Sequence, residues 1–442
     1  MILKAKISPS NTRLEIFKSI APLFNLYKLK YFAIICVFTI TYASPRNLFS
    51  QGVNVTVGAD ILISDSLHLI QNKRLGIITN HSAVLSNGVH LVDTLFNLDR
   101  VKISALFGPE HGIRGNAPDG QTIKDGVDTK TNIPVYSLYG KIRKPTKEML
   151  DGIDILVFDI QDIGARFYTF ISTLYYTLIA AAENDIPIIV LDRPNPINGD
   201  VVDGPIRIED FKSFVAIAPI PIQHGMTIGE LAVMFNNEGW LGGELNANLT
   251  VIKMNGWQRE LFLDDCDLPW INPSPNIPSL NTAILYPGLC LLEGVNVSEG
   301  RGTYSPFLTF GAPYINSNEL LTELNKLPHQ GLELSKTVYT PKSIKNMSTN
   351  PKYKDQNCNG IIINVVDKQK IKALRFGIQV LYAIHKLYPD NFQFRMNYLD
   401  KLFGDSYLTE MIKNNNSPTQ IFKKWELELI KFKELRNKYL FY

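Results

Sequence analysis

Short apolar runs alternate with stretches of helical spacing over the first two thirds of the chain. Arg74 to Thr79 (RLGIIT), Val101 to Phe107, Pro134 to Leu138, Ile155 to Ile160 and Pro187 to Leu191 are brief and rich in Val, Ile and Phe, which predicts buried strands. Between them, His90 to Leu98 has helical spacing. So does Thr169 to Asn184, where Phe170, Leu174, Tyr175, Leu178, Ile179 and Ala182 recur at that period. A helix over Thr227 to Glu238 and a strand over Leu249 to Met254 close the series. This alternation predicts an α/β fold with a mostly parallel sheet covered on both faces.

Trp270 to Pro278 (WINPSPNIP) breaks the pattern with Pro and Asn, and a domain boundary falls there. Beyond it the chain reads as α+β. Extended Gly-rich sequence runs through Gly311, followed by a strand at Gly360 to Val366, a long helix at Ile371 to Leu387 and two amphipathic helices to Tyr442. The division is residues 53–270 for the α/β domain and 271–442 for a smaller α+β domain. Near the start, Lys28 and Lys30 precede the apolar run Tyr31 to Ile40 and the small-residue exit at Ala43 and Ser44. That is the pattern of a secretory signal over residues 1–43. It predicts export to the periplasm or beyond the cell, with no stable membrane span after removal, because the run is too short for a comfortable anchor. Cys36 lies inside the run, but Ile35 before it is not the small residue of a lipoprotein signal.

Composition narrows the class. At 442 residues, 45% hydrophobic and 20% charged, the chain is that of a globular protein with room for two domains. A net charge of +3 with no stripe of Lys and Arg among aromatics argues against nucleic acid as a partner. Cys266, Cys290 and Cys358 show no CxxC spacing, so buried free thiols are expected rather than a disulfide framework or a zinc site.

In an open parallel sheet, ligands bind beyond the carboxyl ends of the strands. The expected strand ends carry Asn80 and His81, then FGPEHGIRG with Glu110, His111 and Arg114, then DIQDIGARFYTF with Asp159, Asp162, Arg166 and Tyr168, then LDRPNPING with Asp192, Arg193 and Asn195. Gln223 and His224 follow just before a helix start, and Leu292 to Phe307 (LEGVNVSEGRGTYSPF) adds Glu293, Asn296, Glu299 and Arg301. No GxGxxG or GxxxxGK[ST] loop is present, so no nucleotide cofactor is expected. Neither a GxSxG elbow nor HExxH occurs, which argues against a serine esterase and a zinc hydrolase; no metal is expected. Carboxylates among aromatics, Asn and Arg suit sugar recognition and acid-assisted glycoside cleavage. Glu110, just past a buried strand, is the leading proton donor; an ion pair with Arg114 is the structural alternative.

FGPEHGIRG, DIQDIGARFYTF, LDRPNPING, SPNIPSL, EGVNVSEGRGTYSPF and RNKYLFY, in that order from Lys73 to Tyr442, resemble the exo-β-N-acetylmuramidases of glycoside hydrolase family 171. The resemblance implies a Rossmann-like domain joined to a smaller α+β domain. It also implies release of N-acetylmuramic acid from the non-reducing end of peptidoglycan-derived saccharides, with no cofactor. Glu110 matches the family's glutamate in GPEHG, its catalytic acid. His111, Asp162 and Glu299 are expected to join it in catalysis. Asn80, His81, Arg114, Arg166, Tyr168, Asp192, Asn195, His224, Glu293, Asn296 and Arg301 are expected to bind substrate. Val295 departs from the pattern, standing where Thr is common. Muramic acid carries a lactyl carboxylate that calls for a cation; Arg166 and Arg301 are the candidates, since a guanidinium binds carboxylates bidentately. The rivals are a non-catalytic wall-sugar binder using the same cleft and an esterase or amidase.

Overall fold

The computed structural model describes residues 52–110, 112–115 and 125–442; the expected signal segment and His111 lie outside them. Strands β1 (Arg74–Thr79), β2 (Lys102–Gly108), β3 (Gly126–Val127), β4 (Pro134–Ser137), β5 (Ile155–Asp159), β6 (Ile188–Leu191) and β7 (Leu249–Ile252) form one sheet. Its order is β3-β4-β2-β1-β5-β6-β7, parallel throughout except for the β3–β4 pair at one edge. The chain winds outward from β1 through β2 to β4, returns to β5, and winds the other way to β7. That is the doubly wound, Rossmann-like arrangement.

Two-sided burial explains why these strands read as unbroken apolar runs. Leu75, Ile77, Val157, Ile189 and Leu191 join one core cluster, while their neighbours Ile78, Leu156, Phe158, Ile188 and Val190 join the other. Successive side chains point to opposite faces, so both faces must be apolar. Helices α1 (Gly58–Ser64), α2 (Leu91–Phe96), α3 (Phe170–Glu183) and α4 (Ile228–Asn237) belong to this domain. The start of α4 is set by a capping box. Thr227 Oγ1 accepts from the Glu230 amide (3.2 Å) and Glu230 Oε2 accepts from the Thr227 amide (3.0 Å), which satisfies two end donors.

The second region holds α5 (Leu280–Leu289), β8 (Thr309–Ala312), α6 (Ser317–Leu324), β9 (Leu332–Tyr339), β10 (Cys358–Val365) and α7 (Ala373–Leu387). Its sheet is antiparallel, in the order β8-β10-β9. Two expectations are corrected here. Residues 280–289 form a helix rather than extended chain; eight of its ten residues are buried, so no amphipathic period marks it. Four helices, not two, follow α7: Met396–Phe403, Tyr407–Lys413, Pro418–Phe422 and Glu426–Arg436. The breaks fall at Gly404, whose φ of 81° ends the first helix left-handed, and at the Ser417-Pro418 start signal. The larger core cluster runs continuously from Ile171 and Leu178 of α3 to Leu285, Leu381 and Trp425. Cys266, Cys290 and Cys358 are free and buried. Among the described residues no helix is long and apolar enough to cross a membrane.

Candidate active site

A cavity of about 700 Å³ lies between the two regions. The sheet domain contributes Glu110, Tyr139, Arg143, Tyr168, Thr169 and Phe214; the second region contributes Ser274, Asn276, Tyr286, Glu293, Arg301 and Tyr398. Topology explains the position. β2 and β4 are adjacent with Gly108 paired to Ser137, so Glu110 and Tyr139, each two residues further on, emerge side by side. The switch point between β1 and β5, where an open sheet ordinarily binds its ligand, is closed instead. Leu263, Leu268, Trp270 and Pro273 crowd it and leave only about 20 Å³, the space of one water. His81 Nε2 lies 2.7 Å from the Asn272 carbonyl oxygen and holds this connector down. The open space is thereby displaced to the β2 and β4 side.

Glu110 follows Gly108-Pro109 and is partly buried at the cavity wall. The Thr169 hydroxyl, one residue before α3, donates to its Oε2 (3.2 Å). From the other domain Glu293 faces the same cavity. Its Oε1 is ion-paired with Arg301, and its Oε2 accepts from the Tyr398 hydroxyl (2.8 Å). The Glu293 charge, with burial, pushes that hydroxyl well above its ordinary range, so Tyr398 remains a donor. Behind this pair Glu299 is buried, 3.0 Å from Lys352 and 3.5 Å from Arg301. Burial opposes its ionisation, but the Lys352 ammonium and the Arg301 guanidinium outweigh it and hold the carboxyl below the usual range. The Arg301 guanidinium also covers the Phe307 ring at 5.0 Å.

Of the residues expected from sequence, Glu110, Tyr168, Glu293 and Arg301 line the cavity. The structure places the other described ones away from the cavity lining. Glu299 stands behind Arg301 and orients it rather than facing the cavity. Asp162 belongs to the closed switch point; its Oδ2 accepts from the Gly164 amide (2.8 Å) and lies 3.6 Å from His224 Nε2, which is itself fully buried. Arg166 is completely buried, donating to the carbonyls of Pro205, Ile220, Leu402 and Phe403. The last two close the helix Met396–Phe403, so the guanidinium sits at a helix C-terminus and ties the domains together. Arg114 pairs with Asp128 (2.7 Å) and Asp93 (2.8 Å), not with Glu110.

The remaining amides and acids serve turns. Asn80 Oδ1 accepts from Ser82, Asn195 bridges the Ile197 amide and the Met226 carbonyl, and Asn296 is bound to Gln393 and Asn391 backbone. Asp192 accepts from the Gly229 amide at the start of α4 (2.8 Å), from Thr227 Oγ1 (2.8 Å) and from the Tyr442 hydroxyl (2.7 Å). Sequence reasoning missed Tyr139, Arg143, Phe214, Tyr286 and Tyr398. They come from loops and helices whose approach to Glu110 is long-range. Ser274 and Asn276 stand in the SPNIP connector, and that motif was the available signal for them.

A doubly wound sheet domain and an α+β domain each bring a carboxylate to one aromatic-walled cleft, an arrangement suited to glycoside hydrolysis. The chain belongs to the exo-β-N-acetylmuramidase NamZ family, whose N-terminal domain matches residues 75–281 and C-terminal domain residues 284–442. It is 44% identical over 407 residues to the peptidoglycan β-N-acetylmuramidase NamZ of Bacillus subtilis, covering 91% of this chain and 96% of that protein. Crystal structures of two DUF1343 family proteins from Bacteroides fragilis superpose with TM-scores of 0.81 and 0.72. Each is 35% identical, and each match covers 88% of this chain and 99% of the other.

Proposed function

We propose that this protein is an exo-acting glycosidase that releases N-acetylmuramic acid from the non-reducing end of peptidoglycan glycan fragments, with Glu110 as the proton donor. The observation that carries the reading is the pair of carboxylates, Glu110 and Glu293, facing one cavity from opposite domains. As the bond from the anomeric carbon to the glycosidic oxygen breaks, Glu110 gives that oxygen its proton and the sugar ring gains positive charge. Thr169 fixes the donor's orientation, while Glu293, held by Arg301 and Tyr398, supplies negative charge on the facing wall. Water then adds its oxygen to the anomeric carbon, and the proton it gives up restores the site's acid, so that charge and protons balance.

The first prediction tests the donor. Glu110→Gln keeps the size and loses the proton, so kcat on a chromogenic β-N-acetylmuramide falls about 10²- to 10⁴-fold while the fold is retained. Sugar release by this variant at the wild-type rate would remove Glu110 from the mechanism. The substrate also fits a site of action outside the cytoplasm, periplasmic or extracellular, which rests on the signal pattern before Ser44. Cell fractionation that found the protein only in the cytosol would refute this localisation.

A further inference from the structure

Among the cavity-lining residues described, the charged side chains are Glu110, Arg143, Glu293 and Arg301. Glu293 and Arg301 are ion-paired, and Glu299 adds a second carboxylate 3.5 Å from the same guanidinium. The charge of Arg301 is thus already matched within the protein, and that of Arg166 is buried on four carbonyls outside the cavity. Arg143 differs from both. Among the described residues it has no carboxylate within ion-pair distance, and it is exposed at the cavity wall with its guanidinium 4.4 Å from the centre of the Phe214 ring.

That stacking matters chemically. A guanidinium lying over an aromatic face is held in orientation, while its N–H donors point outward in its own plane, where a carboxylate can meet two of them at once. Phe214 is held in turn by Tyr139 and Tyr176, at centroid distances of 6.2 and 6.3 Å. Because Arg143 follows β4 and Glu110 follows the adjacent β2, the loops bearing the proton donor and the cation leave neighbouring strand ends. Among the described residues lining the cavity, Arg143 is the one cation without a carboxylate partner.

We infer that Arg143 is the specificity residue that binds the lactyl carboxylate of the terminal muramic acid bidentately, orienting the sugar for protonation by Glu110. This rests on the muramidase reading above and assigns the recognition element within it. The corresponding test compares two chromogenic β-N-acetylmuramides, one with the lactyl group as free acid and one with it as methyl ester. The quantity measured is the ratio of kcat/KM for acid over ester, which does not depend on the fraction of protein folded.

Wild type is expected to favour the acid at least about tenfold, the order of one charge-assisted contact. In Arg143→Gln the ratio should fall to near one. If the Gln variant does not fold, Arg143→Lys takes its place. An ammonium offers a single point contact instead of a fork, so an intermediate ratio is expected. An unchanged ratio in whichever variant is measured, or no preference in wild type, overturns the assignment of Arg143. If wild type cleaves neither compound, the muramidase reading fails instead, a result distinct from loss of selectivity.

Discussion

At the scale of single residues, flanking sequence singled out Glu110, which lines the cavity, but could not tell a ligand-facing acid from a structural one. Asp192 is the clearest case. Expected to bind sugar, it is fully buried, accepting from the Gly229 amide, Thr227 and Tyr442. Burial pushes its carboxyl up to about 7 from an ordinary 3.8, against the lowering effect of those hydrogen bonds. The folded protein therefore holds this proton over a range in which the unfolded chain has lost it. Between about pH 4 and 7 the native state binds the extra proton, so this group's contribution to stability falls as pH rises. Asp192→Asn removes that titration. The melting temperature of wild type minus that of the variant should be largest near pH 4 and shrink towards pH 7; a difference that grew with pH would contradict the account.

At the scale of elements, strands were legible because burial on both faces demands a continuous apolar run. Helix α5 was not, because a helix buried on nearly all sides shows no stripe. Its packing depends on two glycines. A Cβ on Gly288 would lie 1.9 Å from the Ala373 carbonyl oxygen, and one on Gly377 2.2 Å from the Gly288 carbonyl oxygen. Helices α5 and α7 thus touch backbone to backbone, and one methyl forces them apart. Gly288→Ala should lose about 3 kcal/mol or more, at the upper end of overpacking costs, despite its better helix propensity. Denaturant unfolding would show it. Because α5 carries Tyr286 into the cavity, activity should fall in parallel.

At the scale of the whole molecule, the chain's last segment returns to the first domain. Arg436 Nη1 donates to the Gly199 and Gly225 carbonyls, and Trp425 Nε1 to Asp203 Oδ1 (3.0 Å). The Tyr442 hydroxyl donates to Asp192 and accepts from the Met254 amide (2.7 Å). With one apolar cluster continuous through both regions, residues 52–442 should unfold in a single transition. Tyr442→Phe strands the Met254 donor and removes a donor to Asp192, at a cost of about 1–3 kcal/mol. The entire transition should shift in calorimetry. An early, separate melting of the second region alone would argue against the terminal segment as a clamp.

The sequence by itself determined the α/β class and the alternation that makes the sheet mostly parallel, and it marked Glu110 as the candidate proton donor. These follow from local periodicity and from what stands immediately after a strand. Only the tertiary structure decided which polar residues face the cleft. Arg166, Asp192, Asn195 and His224 have the residue types of a binding site, yet they pay for burial with hydrogen bonds that hold turns and helix ends. Arg143, Phe214 and Tyr398 meet Glu110's cavity through strand order and domain packing, which no local pattern encodes. A buried polar side chain and a ligand-binding one look alike in sequence because both are polar among apolar neighbours. The difference is whether the partner is the protein's own backbone, and that depends on contacts distant along the chain.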